Sequence, residues 1–328
     1  KMQLKDKGKY FLQPSFITSK KVFARVDVLE KLEDNTYHIY EVKSSTSIKN
    51  SKNQNYIIDA CFQKYVMDNA GYKVSKISLI YLNKEYRKKG KVTATELLNI
   101  EDITDKVDEI YSEITYDISK ASEYVNIESI NEDICSCYTN TKSNHCDSFK
   151  YFNKQVPDLS IYELSRISRK KIEELIQFDS ISLLDVPLDY KLNFRQKAQI
   201  DSLKANQSII NKTNIQNTLS SLPFPLHFFD YETYASAIPK VDGIGPHQHL
   251  VFQVSMHTMQ ENGEVKHFEW LSREMELPYK MLEEMKDVTG NRGTFISWNA
   301  PFESSQNKAM IVCLPKYSGY LNYINCKK

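Results

Sequence analysis

Thr36-Tyr37-His38-Ile39-Tyr40-Glu41-Val42-Lys43 decides how the N-terminal part of this chain reads. β-Branched and aromatic residues dominate it, so it predicts a strand. Before it, residues 22–29 alternate apolar with other types, and the charged turn Glu30 to Asn35 joins the two as a hairpin. Side chains two apart on a strand face the same way, which puts Glu41 and Lys43 together. Asp27 on the first strand and Glu41 on the second can converge on one Mg²⁺ or Mn²⁺ ion. Phosphodiester cleavage needs such carboxylates, and also a group beside the attacking water or the phosphate. The Lys43 ammonium fits that need. Residues 56–70 carry apolar residues at helical spacing and end at Gly71, and Gln63 on that helix can contact the substrate or orient the site. A third strand is predicted over 75–82. The competing reading is an ordinary amphipathic hairpin with its charges on the wet face.

A second acidic stretch, Phe228-Phe229-Asp230-Tyr231-Glu232-Thr233, ends an apolar strand. Alternation places Asp230 and Glu232 on one side, where two carboxylates can share a metal pair. Further strands are predicted over 250–257, 265–270 and 293–298, with a helix over 275–288 and another after Asn299. Here the competing reading is a strand end capped by acids. His247 and His249 read as loop residues. Between the two acidic stretches, residues about 105–125 and 160–220 read as helical, and Ser221-Leu222-Pro223-Phe224-Pro225 marks a boundary.

The bulk numbers exclude little. The chain has 328 residues, 41% hydrophobic and 26% charged, which fits a soluble globular protein of two ordinary domains. A formal net charge of +1 means that no global field steers it to nucleic acid, so any basic surface is local. The densest basic runs are Asn83 to Lys91 and Ser168 to Lys171, and such runs usually form solvated faces. No stretch is long and apolar enough to span a bilayer and no signal peptide is visible, so no membrane partner is expected. Six cysteines in a long, lysine-rich chain point to a reducing, cytoplasmic setting rather than a disulfide framework. Cys135, Cys137 and Cys146, with His145 adjacent, form a loop from Ile134 to Asn153 whose thiols can hold zinc or an iron–sulfur cluster. Free thiols in a degenerate loop rank first, a zinc site second and an intact cluster last. Cys61, inside the predicted helix, reads as core packing.

Glu41-Val42-Lys43-Ser44-Ser45-Thr46, Asp59-Ala60-Cys61-Phe62-Gln63 and Leu82-Asn83-Lys84-Glu85-Tyr86 resemble the nuclease part of RecB-like, CRISPR-associated PD-(D/E)XK enzymes. From about Phe11 to about Tyr323 the chain also resembles bacterial proteins of the domain-of-unknown-function 2779 family. That resemblance implies Asp27 and Glu41 as metal ligands, Lys43 as catalytic and Gln63 as the helix glutamine. The RecB-like resemblance also implies a four-cysteine cluster here, with one cysteine upstream of the nuclease core, although Phe152 or a neighbour stands where the last cysteine is expected. An upstream histidine and an acid near Gln13-Pro14-Ser15 belong to the pattern and are not found. Asp230, Glu232 and the Trp298-Asn299-Ala300-Pro301-Phe302-Glu303 segment resemble the first two motifs of DnaQ-like exonucleases, with Glu303 as the next metal ligand. No acid follows Glu303, so this site is expected to be incomplete, and the N-terminus is expected to be cut.

The expected fold is α/β. A PD-(D/E)XK-like mixed sheet flanked by helices is expected over residues 1–155, a helical connection over 156–222, and a partial RNase H-like α/β domain over 223–328. The expected function is metal-dependent, exonucleolytic cleavage of DNA, in preference to RNA, with the DNA single-stranded or carrying free ends. The alternative is a catalytically degenerate nucleic-acid binder or a truncated gene fragment.

Overall fold

A computed structural model describes residues 8–51, 54–127, 129 and 135–326. The Lys1-Met2 start, the Ile134 edge of the cysteine loop and the Lys327-Lys328 tail lie outside the described residues. The chain is mixed α/β and forms two compact units. One comprises Lys1–Asn126 together with Ser221–Lys328, and the other Ile127–Ser220.

The first part of the larger unit begins with β1 (Tyr10–Leu12), β2 (Ser15–Ile17), β3 (Phe23–Arg25), β4 (Val28–Lys31) and β5 (Tyr37–Lys43). The short pair β6 (Asn50–Ser51) and β7 (Gln54–Asn55) leads into α1 (Tyr56–Asn69). β8 (Val74–Leu82), α2 (Ala94–Leu97), β9 (Leu98–Asp102) and α3 (Thr104–Tyr124) follow. The sheet order is β1-β4-β5-β8-β9, with β5 and β8 parallel and the other neighbours antiparallel. Crossing from β5 to a parallel β8 requires a connection over the sheet face, and α1 provides it. Asn55 starts that helix by accepting from the Ile57 and Ile58 amides at 3.0 and 3.2 Å. Gly71 ends it at φ +91°, where a side chain is strained. Val26, Leu29, Ile39, Ile77 and Leu79 bury against Ala60, Cys61, Val66 and Met67 of α1 and Val107 and Ile114 of α3. Cys61 is core packing, as its helical position predicts.

The expected strand over 22–29 is broken. Val26 donates to the Pro14 carbonyl at 3.1 Å, and the Asp27 carbonyl accepts from the Gln13 amide at 2.9 Å. β3 pairs with β2, whereas β4 pairs with β5, so Asp27 sits at the bend between them.

The smaller unit holds α4 (Phe149–Phe152), α5 (Arg169–Gln177), α6 (Phe194–Ala205) and α7 (Lys212–Ser220), with short 3₁₀ turns at Ile161–Glu163 and Leu183–Asp185 between the first three. Its core joins Phe149, Ile161, Ile172, Leu175, Leu183 and Ile200, with Cys135, Cys137 and Tyr138 packed against it. The cysteine segment therefore groups with residues 156–220 rather than with the N-terminal sheet, a different division from that at residue 155. Ring contacts explain it: His145 stacks on Phe149 at 3.6 Å, and Tyr162 meets both rings edge-on.

The larger unit resumes with β10 (Leu226–Tyr234), β11 (Leu250–Met259), β12 (Val265–Leu271), α8 (Tyr279–Thr289), β13 (Thr294–Ile296), α9 (Ala300–Cys313) and α10 (Ser318–Cys326). The sheet order is β12-β11-β10-β13. β10 to β12 form an antiparallel meander, and β13 lies parallel to β10. Phe229 and Tyr231 of β10 face a core that includes Val254, Met256, Met281, Leu282, Met285, Phe295, Leu321 and Ile324. No helix among the described residues is long and apolar enough to cross a membrane.

Gly293 enters β13 at φ +83°, and a Cβ there would lie 2.1 Å from the Pro225 carbonyl oxygen. Gly71 has a similar φ and nothing within 4 Å of such a Cβ. Gly293→Ala should therefore destabilise by about 3 kcal/mol in chemical unfolding, and Gly71→Ala by about 1 kcal/mol. Equal losses would mean that the backbone conformation alone, and not the close approach to Pro225, constrains Gly293.

Candidate functional sites

At the end of β5, alternation turns Val42 outward and brings Glu41 and Lys43 to one side. Glu41 is buried beneath α1. The Lys43 Nζ lies 2.6 Å from Glu41 Oε1 and 2.5 Å from Asp59 Oδ2. It also sits 5.0 Å from the centre of the Tyr56 ring. Gln63 Nε2 donates to Glu41 Oε2 at 2.6 Å. At the bend before β4, Asp27 Oδ2 accepts from the Val42 amide at 2.9 Å. Asp27, Glu41, Lys43 and Gln63 are thus brought together. Asp59 and Tyr56 join them and were given no role from sequence. Their spacing was a usable signal, since residues 56, 59 and 63 fall on one face of a helix.

Burial pushes the Glu41 carboxyl above its ordinary range, and the nearby Asp27 charge adds to this. The bonds from Lys43 and Gln63 oppose that rise. Burial also works against the Lys43 charge, but its bonds to Asp59 and Glu41 carry its pKa above the usual lysine value. Gln63 Oε1 is buried with no hydrogen-bond partner among the described residues. Asp27 and Glu41 are the carboxylates here that could hold a hard divalent cation, and in this structure the Glu41 oxygens are engaged by Lys43 and Gln63.

On β10, Asp230 and Glu232 both point to the open face, opposite Phe229 and Tyr231. Glu303 in the first turn of α9 is only 1% exposed. Burial raises its pKa, and the Asp230 carboxylate beside it adds to the rise. Glu303 Oε2 and Ser297 Oγ have no partner among the described residues. Asp230 and Glu303 therefore form a close pair, whereas Glu232 lies further along the strand before its bulge. His247 and His249 are loop residues, as read. His249 Nδ1 pairs with Thr233 Oγ1 at 2.8 Å.

Cys135, Cys137 and Cys146 place their sulfurs within 4.8 Å of one another. Among the described residues this is the one group of three or more Cys, His, Asp or Glu side chains with such closely spaced ligand atoms. The Cys146 backbone amide holds the Cys137 thiol below the usual range, with sulfur contacts adding to it. His145 is engaged elsewhere: its Nε2–H donates to the Asn140 carbonyl at 3.1 Å. Phe152 pairs edge-on with Tyr151, so the set offers three thiols where the resemblance carries four. A cavity of about 550 Å³ lies against His145, Phe149 and Tyr162, and no acid-cluster residue lines it.

The molecule is a mixed α/β protein with two acidic clusters in one compact unit and a three-thiol cluster in the other. Residues 227–327 match the family described as Domain of unknown function (DUF2779). That segment holds Asp230, Glu232 and Glu303 and not the Lys43 cluster. No curated protein and no solved structure matches the chain.

Because its folded pKa is raised, Glu41 contributes stability that is full below its ordinary value of 4.5 and is lost as pH rises through the folded value. Removing Lys43 raises that folded value further and enlarges the loss. Lys43→Met should therefore cost about 3 kcal/mol near pH 7 and much less at about pH 4, read by urea unfolding at each pH. An equal cost at both would show that Lys43 contributes by packing alone.

Proposed function

We propose that this protein is a metal-dependent nuclease acting on DNA in the cytoplasm, with Asp27, Glu41, Lys43 and Gln63 as its working site. The observation that carries the reading is the convergence of these four groups, with a dehydrated Glu41 and the buried Gln63 Oε1 left without a partner. The sheet order, with β5 and β8 parallel and α1 crossing between them, supports the PD-(D/E)XK resemblance. The antiparallel meander with β13 parallel to β10 supports the DnaQ-like one. Free thiols among the described cysteines go with a reducing compartment.

Asp27 and Glu41 would hold Mg²⁺ or Mn²⁺. Bound there, the ion would supply Lewis-acid polarisation of the phosphate and a more acidic water. Lys43 is already fixed between Glu41 and Asp59, so its charge is positioned before substrate arrives. Gln63 orients Glu41 through its amide N–H, and Asp59 orients Lys43. The Asp230 and Glu303 pair would be an auxiliary or incomplete site, since Glu232 is not drawn in with it. The three thiols fit a thiophilic ion with one position open, and no step of cleavage involves them.

End-labelled single- and double-stranded DNA, incubated with Mn²⁺, Mg²⁺ or EDTA, tests the reading. Metal-dependent cleavage should appear, fall by about 10²–10³-fold in Lys43→Ala and Glu41→Gln, and persist in Asp230→Ala. Loss in Asp230→Ala alone would move the chemistry to the C-terminal pair. The absence of cleavage under all conditions would leave a non-catalytic nucleic-acid binder.

A further inference from the structure

We propose that the loop of residues 83–91 is a binding element for the phosphate backbone of single-stranded DNA, set at the edge of the Lys43 site. For the identity of the polymer it rests on the nuclease reading. The loop continues from β8, whose Tyr81 is in register with Lys43 on the parallel β5. The Leu82 amide then donates to the Ser45 carbonyl at 3.0 Å. The loop therefore leaves the sheet at the strand end that carries Lys43.

It is also held in shape. Tyr86 is buried with Leu82 and Leu97. Arg87 Nη1 donates to the Lys84 and Tyr86 carbonyls at 2.9 and 2.8 Å. The loop between β10 and β11 braces it from outside. There the Lys88 amide donates to the Ile244 carbonyl at 3.1 Å, and the Gly243 amide returns a bond to the Lys88 carbonyl at 2.8 Å. Asp242 pairs with Lys88 and accepts from the Gly90 amide. At Gly245 a Cβ would lie 2.7 Å from Arg87 Nη1 and 3.0 Å from the Tyr86 carbonyl, so the two loops meet where a side chain does not fit. Two residues on, the His247 Nε2–H donates to the carbonyl of Ser44, next to Lys43.

What the brace leaves over is positive charge. Lys88 is neutralised by Asp242, and Glu85 is the loop's own acid. Lys84, Lys89 and Lys91 are exposed and have no ion-pair partner among the described residues. The other basic run behaves differently. Arg169 is bonded to Glu173 and Thr139, and Lys171 to the Lys191 carbonyl, which leaves Lys170 as its one cation with no bonded partner among the described residues. With a net charge of only +1 on the whole chain, a braced loop carrying three lysines without ion-pair partners, at the strand end that holds the proposed cleavage site, is where a polyanion would be held.

The test is equilibrium binding of a fluorescent single-stranded DNA to the full chain in EDTA, over a salt series. Replacing three phosphate-contacting lysines should flatten the plot of log K against log salt by about two for a single strand. The K84Q/K89Q/K91Q variant should show that change and bind at least about tenfold more weakly at low salt. The K266Q/K280Q/K316Q variant, with the same loss of charge elsewhere, should bind as the parent does. An unchanged slope in the first variant, an equal loss in the second, or no binding by the parent would overturn the proposal. Binding in EDTA requires no catalysis. A flattened slope with an inactive parent would sink the nuclease reading and leave the strip, whereas an active parent with an unchanged slope would do the reverse.

Discussion

Lys43 is held between two carboxylates, and the N-terminal site depends on that arrangement. Glu41 is buried because α1 crosses over the end of β5. A carboxylate in that position needs a cation or strong donors, since a bare buried charge is costly. Lys43 supplies the cation and Gln63 the donor, one from the same strand and the other from the crossing helix. Asp59, one turn before Gln63, holds the lysine from its other side. The contacts that satisfy a buried charge therefore also preorganise the groups that a phosphodiester would meet.

The periodic parts of this site were legible in the sequence, and the non-local parts were not. The apolar and β-branched runs of β5 and β8 and the helical spacing of α1 show in the residues themselves, and so does the shared face of Glu41 and Lys43. The bend at Asp27 does not, because the alternation over 22–29 continues through it. Bonds that Val26 and Asp27 make to Pro14 and Gln13, outside the hairpin, break the strand there. β9 was missed because Leu98-Asn99-Ile100-Glu101-Asp102 ends in two acids and lies at a sheet edge, with Ile100 largely exposed. The grouping of the cysteine segment with the helical unit depends on stacked rings of His145, Phe149 and Tyr162, a relation that local pattern does not carry.

The C-terminal cluster shows the same balance. Alternation along β10 placed Asp230 and Glu232 on one face, and the Asn299 to Glu303 segment gave the helix start that delivers Glu303. It did not show that Glu303 would be sealed beside Asp230 while Glu232 stays open to solvent. The loop between β10 and β11 then joins this sheet to the N-terminal one through Asp242, Gly245 and His247. It contacts both the basic loop after β8 and the carbonyl that follows Lys43. The two acidic clusters thus belong to one compact unit, although about two hundred residues separate them in sequence.

The most direct measurement of the central claim is Mn²⁺ binding to the full chain by electron paramagnetic resonance, with Glu41→Gln and Asp230→Asn as paired variants. The account predicts that the parent binds Mn²⁺, that Glu41→Gln loses the tighter site and that Asp230→Asn keeps it. Tight binding untouched by Glu41→Gln and abolished by Asp230→Asn would contradict it and place the metal in the C-terminal sheet.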